Sequence, residues 1–460
     1  MEQNQPLGTQ KIGPLLFRLA LPAVTAQLVN MLYNIVDRIY IGHIAGIGSM
    51  ALTGVGLCFP VITLITAFSS LIGMGGAPRV SMQMGRQNNR GAEKIIGNCL
   101  TALLVLSVIL TAVFLAFGEP LLFLFGASAD TIGYATEYMN IYVIGTIFVM
   151  LALGMNPFIT AQGFSKVSMF TVLIGAVTNI VLDPIFIFGF GWGVKGAALA
   201  TILSQMISAV WVICFLTGKH TVLKIRLANL RPKARLLLPV LALGVSPFIM
   251  TSTESLLNIC FNRSLQHYGG DLAVGAMTIL SSIMQVLSLP LQGMSQGAQP
   301  IISYNYGAGN LQRVKKAFLL LWGASMTFAV VFWGLNMLAP TLMPLLFSNS
   351  PKLLEFAGWA NRIYIAGTFL MGTQIACQQT FIALGEAKIS LFLALLRKII
   401  LLIPLIYILP LLIQDQVCGV FLAEPISDIL AALTTLTLFT LKFKKLLRNT
   451  PTVTSAESQT

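Results

Sequence analysis

Twelve long apolar stretches limit what this chain can fold into. A helix that crosses the hydrocarbon core of a membrane needs about 20 mostly apolar residues. The stretches lie near residues 15–40, 50–77, 94–117, 133–157, 167–190, 195–217, 236–262, 272–302, 314–338, 358–384, 388–412 and 417–441. With 56% hydrophobic and only 9% charged residues, the chain differs from soluble enzymes and from disordered proteins. The sequence therefore predicts an all-α integral membrane protein with twelve transmembrane helices, which we call spans 1 to 12 in chain order.

Lysine and arginine lie mainly on one side of these spans. With twelve crossings, 21 of the 28 basic residues fall on the side that holds both termini, and the opposite links carry Lys195, Arg263 and Lys352. Cytoplasmic links are enriched in basic residues. The pattern predicts a multi-pass protein of the inner (plasma) membrane with both termini in the cytoplasm. The net charge of +13 is thus explained by membrane orientation, and no nucleic-acid partner is expected.

The two halves of the chain repeat each other at an offset of 222 residues. Gly85, Asn88 and Lys94 match Gly307, Asn310 and Lys316; Ile141, Tyr142, Gly145 and Thr146 match Ile363, Tyr364, Gly367 and Thr368; Ala161, Gly163, Lys166 and Ser168 match Ala383, Gly385, Lys388 and Ser390. With one residue of slippage, Gly196, Ala200 and Ser204 match Gly419, Ala423 and Ser427. Six spans per half make the halves parallel repeats with a cavity between them.

The repeat predicts two pseudo-symmetric six-helix lobes. We expect an N-lobe over residues 1–218, a cytoplasmic linker over 219–235, a C-lobe over 236–445 and a cytoplasmic tail over 446–460. Duplicated membrane proteins of this plan are commonly transporters.

Polar side chains inside the spans indicate a cavity, because unpaired polar groups are costly in hydrocarbon. Carboxylates occur at Asp37 in span 1, Asp183 in span 5 and Glu254 in span 7. Amides accompany them at helical spacing: Gln27, Asn30, Asn34, Asn179, Asn258, Gln285, Gln292, Gln296, Gln299, Gln374 and Gln378. Any single amide could instead bond a neighbouring helix, and Glu424 and Asp428 in span 12 could brace a turn. Pro22 gives span 1 a place to bend.

Span 5 and span 6 contain the most distinctive strings. Residues 178–184 read TNIVLDP and residues 196–201 read GAALAT. These strings resemble spans 5 and 6 of the multidrug and toxic compound extrusion family, and Pro22 and Asp37 resemble that family's bending proline and span 1 carboxylate. Residues 297–300 (GAQP) and 304–307 (YNYG) resemble the end of its span 8. The resemblance extends from about residue 10 to residue 445.

The resemblance implies two lobes in a V that rock between inward-open and outward-open states. It implies a secondary antiporter that exports amphipathic, mostly cationic small molecules in exchange for H⁺ or Na⁺, without a cofactor. It further implies a coupling-ion site at Asp37, Asn179, Asp183 and Thr201 with the Ala197 carbonyl; Asp37 and Asp183 would bind a metal only if the ion is Na⁺. Two carboxylates in one cavity repel each other, so one is expected to take up a proton or a metal ion. Oxygen ligands suit either ion.

The substrate is expected to follow a path lined by carboxylate and amide side chains. Glu254 corresponds to a span 7 carboxylate used by some branches of the family. The remaining predicted substrate contacts are Gln27, Asn30, Asn34, Asn258, Gln285, Gln292, Gln374 and Gln378. Other branches have a coupling aspartate in span 10, where this chain has Gln374 and Gln378, so the resemblance does not extend to an ion site in the second lobe.

Two other functions, that of a flippase and that of a membrane-embedded protease, fit parts of the sequence. A lipid-linked saccharide flippase shares the architecture but should line its cavity with basic residues for a pyrophosphate; the embedded candidates Arg38, Arg362, Arg397 and Lys398 are expected mostly near span ends. A membrane-embedded aspartyl protease would need a Gly-x-Gly-Asp motif, which precedes neither aspartate. We therefore expect a transporter that acts as a monomer and is not an enzyme.

Overall fold

A computed structural model describes residues 6–347 and 350–448, and helices form almost all of it. The chain begins with a short helix, Pro6–Thr9. Spans 1 to 6 comprise Ile12–Gly42, Gly48–Leu57 with Phe59–Gly85, Asn89–Leu124, Ile132–Ile144 with Thr146–Ala161, Ser165–Pro184 with the π-helix Ile185–Gly189, and Gly193–Thr217. Spans 7 and 8 both lie in the helix Ala234–Gly307, and span 9 is Leu311–Leu338. Span 10 comprises Pro351–Tyr364 and Met371–Ala383, and span 12 is Gln416–Arg448. Span 11 comprises Ala387–Leu395, the π-helix Leu396–Leu402 and Ile403–Leu412.

The helix bounds account for the twelve predicted spans. Across residues 6–347 and 350–448, nine helices are long and apolar enough to cross a membrane, and a pair bent by 57° brings the number to ten. The 74-residue helix Ala234–Gly307 would be about 110 Å long if straight, far more than the roughly 30 Å of a hydrocarbon core. Gly270, with φ 63°, divides it into spans 7 and 8. The interrupted segment 351–383 supplies the twelfth span.

Several helices extend beyond the predicted span bounds, as spans 2 and 10 illustrate. Span 2 was predicted to end near residue 77, whereas its second helix continues to Gly85. Span 10 was predicted to begin near residue 358, whereas its first helix begins at Pro351. The sequence misplaced both bounds because mildly polar helix ends fall outside a purely apolar stretch, although their backbone remains helical.

The repeat is visible in matching local contacts. Ser81 Oγ donates to Ala161 O at 2.8 Å, and Ser303 Oγ, 222 positions later, donates to Ala383 O at 2.7 Å. Asn88 and Asn310 each cap the helix that follows them, by accepting from the backbone N–H of Gly91 and of Arg313. The matching residues therefore occupy matching places in two lobes.

Both lobes break a helix at the same repeated motif. Span 4 bends at Gly145, between Ile132–Ile144 and Thr146–Ala161. Span 10 is interrupted between Tyr364 and Met371, at the matching Gly367. The motif also brings the neighbouring span close: a Cβ on Gly145 would meet the Ile202 side chain, and one on Gly367 would meet the backbone of Pro425. A glycine permits that approach.

The lobes touch through glycines in spans 2, 7 and 8. The backbones of Gly75 and Gly244 approach so closely that a Cβ on either would collide with the opposite helix. The same holds for Gly85 against Tyr304 and for Gly307 against Met82. These contacts lie between the middle of the spans and the side of the protein that carries the basic links. The two lobes are therefore in contact on that side, and the space between them is closed there.

The polar residues beyond these contacts are accessible. Asn34, Glu254, Asn258 and Gln285 are all exposed, although they lie within spans. Because exposed polar groups are unfavourable against lipid, we place them along a cleft between the lobes that opens away from the basic links.

The side of the membrane that holds the basic links can be tested by cysteine labelling. Ala228 lies exposed in residues 219–235, and Ser128 lies exposed after span 3. In a background without the six native cysteines, a cysteine at position 128 is expected to react with a membrane-impermeant reagent added to whole cells. A cysteine at position 228 is expected to react only after the cells are permeabilised. Labelling of position 228 in intact cells would contradict the assigned topology.

Candidate functional site

Spans 1, 5 and 6 bring the predicted ion-site residues together in the N-lobe. Asn179 and Asp183 lie four residues apart on span 5, and the Asn179 Nδ2 donates to Asp183 Oδ1 at 3.2 Å. The same amide lies 3.5 Å from Thr201 Oγ1, which donates to the Ala197 carbonyl at 3.0 Å. Asp37, on span 1, is close enough to Asp183 for the two carboxylates to interact electrostatically. We call these five residues the N-lobe cluster.

The N-lobe cluster presents buried oxygen atoms that lack donors. Asp37 Oδ1, Asn179 Oδ1 and Asp183 Oδ2 are buried and have no hydrogen-bond partner. Buried polar atoms in proteins are nearly always paired, and two neighbouring carboxylates in a buried site repel each other unless a proton or a cation lies between them. The arrangement therefore provides a binding place for a proton or a small hard cation.

The chemistry of the donor set is compatible with Na⁺ as well as H⁺. All the available ligand atoms are oxygens, which hard cations prefer. Within the described ranges, no group of three or more His, Cys, Asp or Glu residues could hold a metal ion, so a transition-metal site of that kind is not formed there.

Two tyrosines near the N-lobe cluster were not anticipated from the sequence. Tyr138, buried on span 4, interacts with Thr201 and Asp37, and its ring stacks on Tyr142 with 6.1 Å between centroids. Tyr33, on span 1, interacts with Asp37 and Asn34. The available signal was a tyrosine hydroxyl inside an apolar span, which needs a partner there.

The predicted substrate contacts of the amide type differ in their access to the cleft: six are exposed or partly buried, and the two in span 10 are buried. Asn34, Asn258 and Gln285 are exposed along the cleft, and Asn30, Gln27 and Gln292 are partly buried. Gln27 Nε2 donates to Gln296 Oε1 at 3.2 Å, a contact between the lobes. Gln374 and Gln378 in span 10 are only 2% and 3% exposed, and Gln378 Nε2 lies 3.3 Å from the Met250 sulfur. Span 10 must separate from its neighbours before these two glutamines can contact a substrate.

The C-lobe contains a second group of charged side chains, in spans 7, 11 and 12. Glu254 forms an ion pair with Lys398. Arg397 pairs with Asp428 at 2.7 Å and with Glu424 at 3.3 Å. We call these five residues the C-lobe cluster.

The expected position of the two basic residues near a span end is wrong. Arg397 and Lys398 lie in the π-helix Leu396–Leu402, in the middle of span 11. The carboxylates of spans 7 and 12 make that position possible, because each buried cation forms an ion pair.

Comparisons with known proteins agree with this architecture. The MatE family model matches residues 22–185 and 247–408, one segment in each repeat. The chain belongs to the MatE family. It is accordingly a multi-pass membrane transporter and not an enzyme.

Curated relatives from this family are of nearly the same length. The multidrug export protein MepA of Staphylococcus haemolyticus is 25% identical over 415 residues, which cover 90% of both chains. MepA of Staphylococcus aureus strain NCTC 8325 is 25% identical over 421 residues, which cover 90% of this chain and 91% of that protein.

Solved MATE structures share the fold. An outward-facing conformation of a multidrug resistance MATE family transporter of the MOP superfamily superposes with a TM-score of 0.90, at 24% identity, over 97% of this chain and 99% of that one. A crystal structure of MATE in complex with MaD3S matches with the same TM-score, identity and coverage. This likeness supports the fold class predicted from the repeat.

Proposed function

We propose that this chain is a multidrug exporter that moves amphipathic organic cations out of the cell in exchange for H⁺ or Na⁺. The observation that carries the proposal is the N-lobe cluster: three buried oxygens without donors inside a membrane transporter. Membership of the MatE family and the names of its multidrug-exporting relatives support the drug substrates.

In this proposal the coupling ion binds in the N-lobe, whereas the substrate binds along the cleft, at Glu254 and at the amide side chains of both lobes. The ion binds at Asp37 and Asp183, aided by Asn179, Thr201 and the Ala197 carbonyl. If the ion is Na⁺, the two aspartates are its metal ligands. Pro22 lies within the unbroken helix Ile12–Gly42 and is the proposed bending point by which ion binding changes the shape of span 1.

The predicted arrangement in the membrane belongs to the same proposal. We propose an N-lobe over residues 1–218, a linker over 219–235, a C-lobe over 236–445 and a tail over 446–460, in a monomer of the plasma membrane. Both termini are proposed to be cytoplasmic, because the basic links lie on that side. No cofactor is needed, since the ion is itself transported.

The contacts of the basic residues do not favour a lipid-linked saccharide flippase. Such a protein needs positive charge that is free to bind a pyrophosphate. Arg397 and Lys398 lie in the C-lobe interior, but each is already paired with carboxylates. Both basic side chains are thus paired with carboxylates and are not available to bind an anion.

Export in proteoliposomes tests the proposed function. Purified protein is reconstituted in vesicles that receive either a Na⁺ gradient or a pH gradient, and ethidium accumulation is measured. We expect one of the gradients to drive ethidium transport against its concentration gradient. Passive equilibration under both gradients would contradict the proposal.

Replacing Glu254 tests how the substrate is recognised. Glu254→Gln keeps the side-chain shape but removes the charge. We therefore expect the variant to lose more export of cationic compounds, relative to the wild type, than export of neutral compounds. The loss of one charge-assisted contact lowers the affinity for a cationic substrate by about 5- to 150-fold. The measurement compares apparent affinities for a cation and a neutral compound in the same vesicles. An equal loss for both classes would show that Glu254 does not recognise charge.

A further inference from the structure

The C-lobe cluster lies in the spans that correspond, by the repeat, to those of the N-lobe cluster. The N-lobe cluster joins spans 1, 5 and 6, and the C-lobe cluster joins spans 7, 11 and 12. In the repeat register Ala200 matches Ala423, which places Glu424 at the position of Thr201. Where the N-lobe has oxygens without donors, the C-lobe has two basic side chains of its own, Arg397 and Lys398.

Glu254 and Lys398 differ in their access to the cleft. The Glu254 side chain is 58% exposed, whereas that of Lys398 is 6% exposed. The Lys398 ammonium also donates to the Met250 carbonyl at 2.7 Å. The carboxylate thus faces the cleft and its ammonium partner lies behind it, so a cation in the cleft can reach Glu254 directly.

The charges of the C-lobe cluster do not balance. Three carboxylates, Glu254, Glu424 and Asp428, are grouped with two cations. Arg397 binds Asp428 through Nε at 2.8 Å and through Nη2 at 2.7 Å, and approaches Glu424 only to 3.3 Å. Asp428 Oδ2 is buried without a partner. With all three carboxylates ionised, the cluster is therefore short of one positive charge, and excess charge in a largely buried group is unfavourable.

Lys398 has a second carboxylate within electrostatic range. Arg397, the residue before Lys398 on span 11, contacts Glu424 of span 12 at 3.3 Å, which is the longest contact in the cluster. Glu424 also interacts electrostatically with Lys398. It is therefore the second carboxylate toward which the ammonium of Lys398 can turn.

We propose that Lys398 is a resident competitor for the substrate at Glu254. The positive group of a monovalent organic cation takes the place of the ammonium at Glu254, and Lys398 turns toward Glu424. Three cations then face three carboxylates, so the cluster selects compounds with a single positive charge. This inference rests on the proposed function, because it names the chemistry by which the exporter recognises its substrate.

Equilibrium binding tests the inference without any ion gradient. The probe is tetraphenylphosphonium, a permanently charged monovalent cation, and the sample is the full-length protein in lipid nanodiscs. Lys398→Met removes the competitor, so we expect it to bind the probe about 5- to 100-fold more tightly than the wild type. Glu254→Gln is expected to weaken binding, and the double variant Lys398→Met/Glu254→Gln is expected to show no gain.

A matched control is available on the same span. Lys388 lies exposed at the start of span 11, and its replacement by methionine removes one positive charge, as Lys398→Met does. Lys388→Met is expected to bind the probe like the wild type. Gel filtration verifies folding, and Lys398→Gln serves if the methionine variant aggregates.

Each outcome decides the inference. The inference is supported if a Lys398 variant binds the probe more tightly than the wild type and this gain disappears when Glu254 is also replaced. It is equally supported if the Lys398 variant binds the probe measurably and the wild type does not. Unchanged or weaker binding by folded Lys398 variants, or a gain that persists without Glu254, overturns it. The proposed function fails separately, if wild-type vesicles do not accumulate ethidium under either gradient.

Discussion

Asp37→Asn and Asp183→Asn are each expected to abolish gradient-driven export while the protein remains folded and inserted. The side chains meet in the N-lobe cluster, and asparagine keeps their size but cannot hold a proton or balance a bound cation. The measurement is ethidium efflux from energised cells, with membrane content checked by immunoblot. We expect residual export of about 1% or less, because the loss of a charged ligand from a buried pair costs several kcal/mol.

The double variant distinguishes one shared site from two independent ones. Residues that act as a unit are not additive, so Asp37→Asn/Asp183→Asn is expected to be no worse than either single variant. Substrate binding without a gradient is expected to persist, because the site supplies coupling and not recognition. Asp271→Asn, on the link after span 7, is the matched control and should export normally. Full export by either cluster variant would assign the coupling site elsewhere, with Glu254 the next candidate.

Gly85→Val and Gly307→Val are expected to prevent closure at the end of the basic links. A Cβ at Gly85 would meet the Tyr304 carbonyl, and one at Gly307 would meet the Met82 carbonyl. These are backbone atoms that cannot move aside within a helix. Overpacking of this kind costs about 1–3 kcal/mol, which shifts the population about 5- to 150-fold away from the closed arrangement. Export should fall in the same proportion.

Cleft accessibility measures this shift directly. A cysteine introduced at Asn34, which is exposed in the cleft, is expected to react more slowly with an impermeant reagent from outside when Gly85→Val is present. Gly323→Val, on span 9, is the matched control, because a Cβ there meets no atom within 4 Å. Undiminished labelling together with normal export in the Gly85 variant would show that the close packing of spans 2 and 8 is not needed for closure.

The sequence predicted the parts of the fold that follow from hydropathy and repetition. Apolar length located the twelve spans, and the offset of 222 paired the halves. The structure adds Ser81 and Ser303 to this pairing, since they form matching hydrogen bonds. The bend at Gly145 and the interruption near Gly367 lie inside the matching motif, but hydropathy alone could not reveal them, because both sides of a break are equally apolar.

The C-lobe cluster shows where sequence reasoning is insufficient. Arg397 and Lys398 were expected mostly near a span end because single basic residues are costly in hydrocarbon. Their carboxylate partners are up to 144 positions away in the chain, as the ion pair of Lys398 with Glu254 illustrates, and only the packing of spans 7, 11 and 12 brings them together. The N-lobe cluster was easier, since Asn179 and Asp183 share one helix face.

Ethidium transport in proteoliposomes, with each gradient imposed alone, tests the central claim most directly. We expect a Na⁺ gradient or a pH gradient to drive accumulation by the wild type. The same gradient is expected to drive none by Asp37→Asn or Asp183→Asn, although both variants still bind ethidium. Accumulation by either variant to the wild-type level under that gradient would contradict the claim that the N-lobe cluster couples the ion to export.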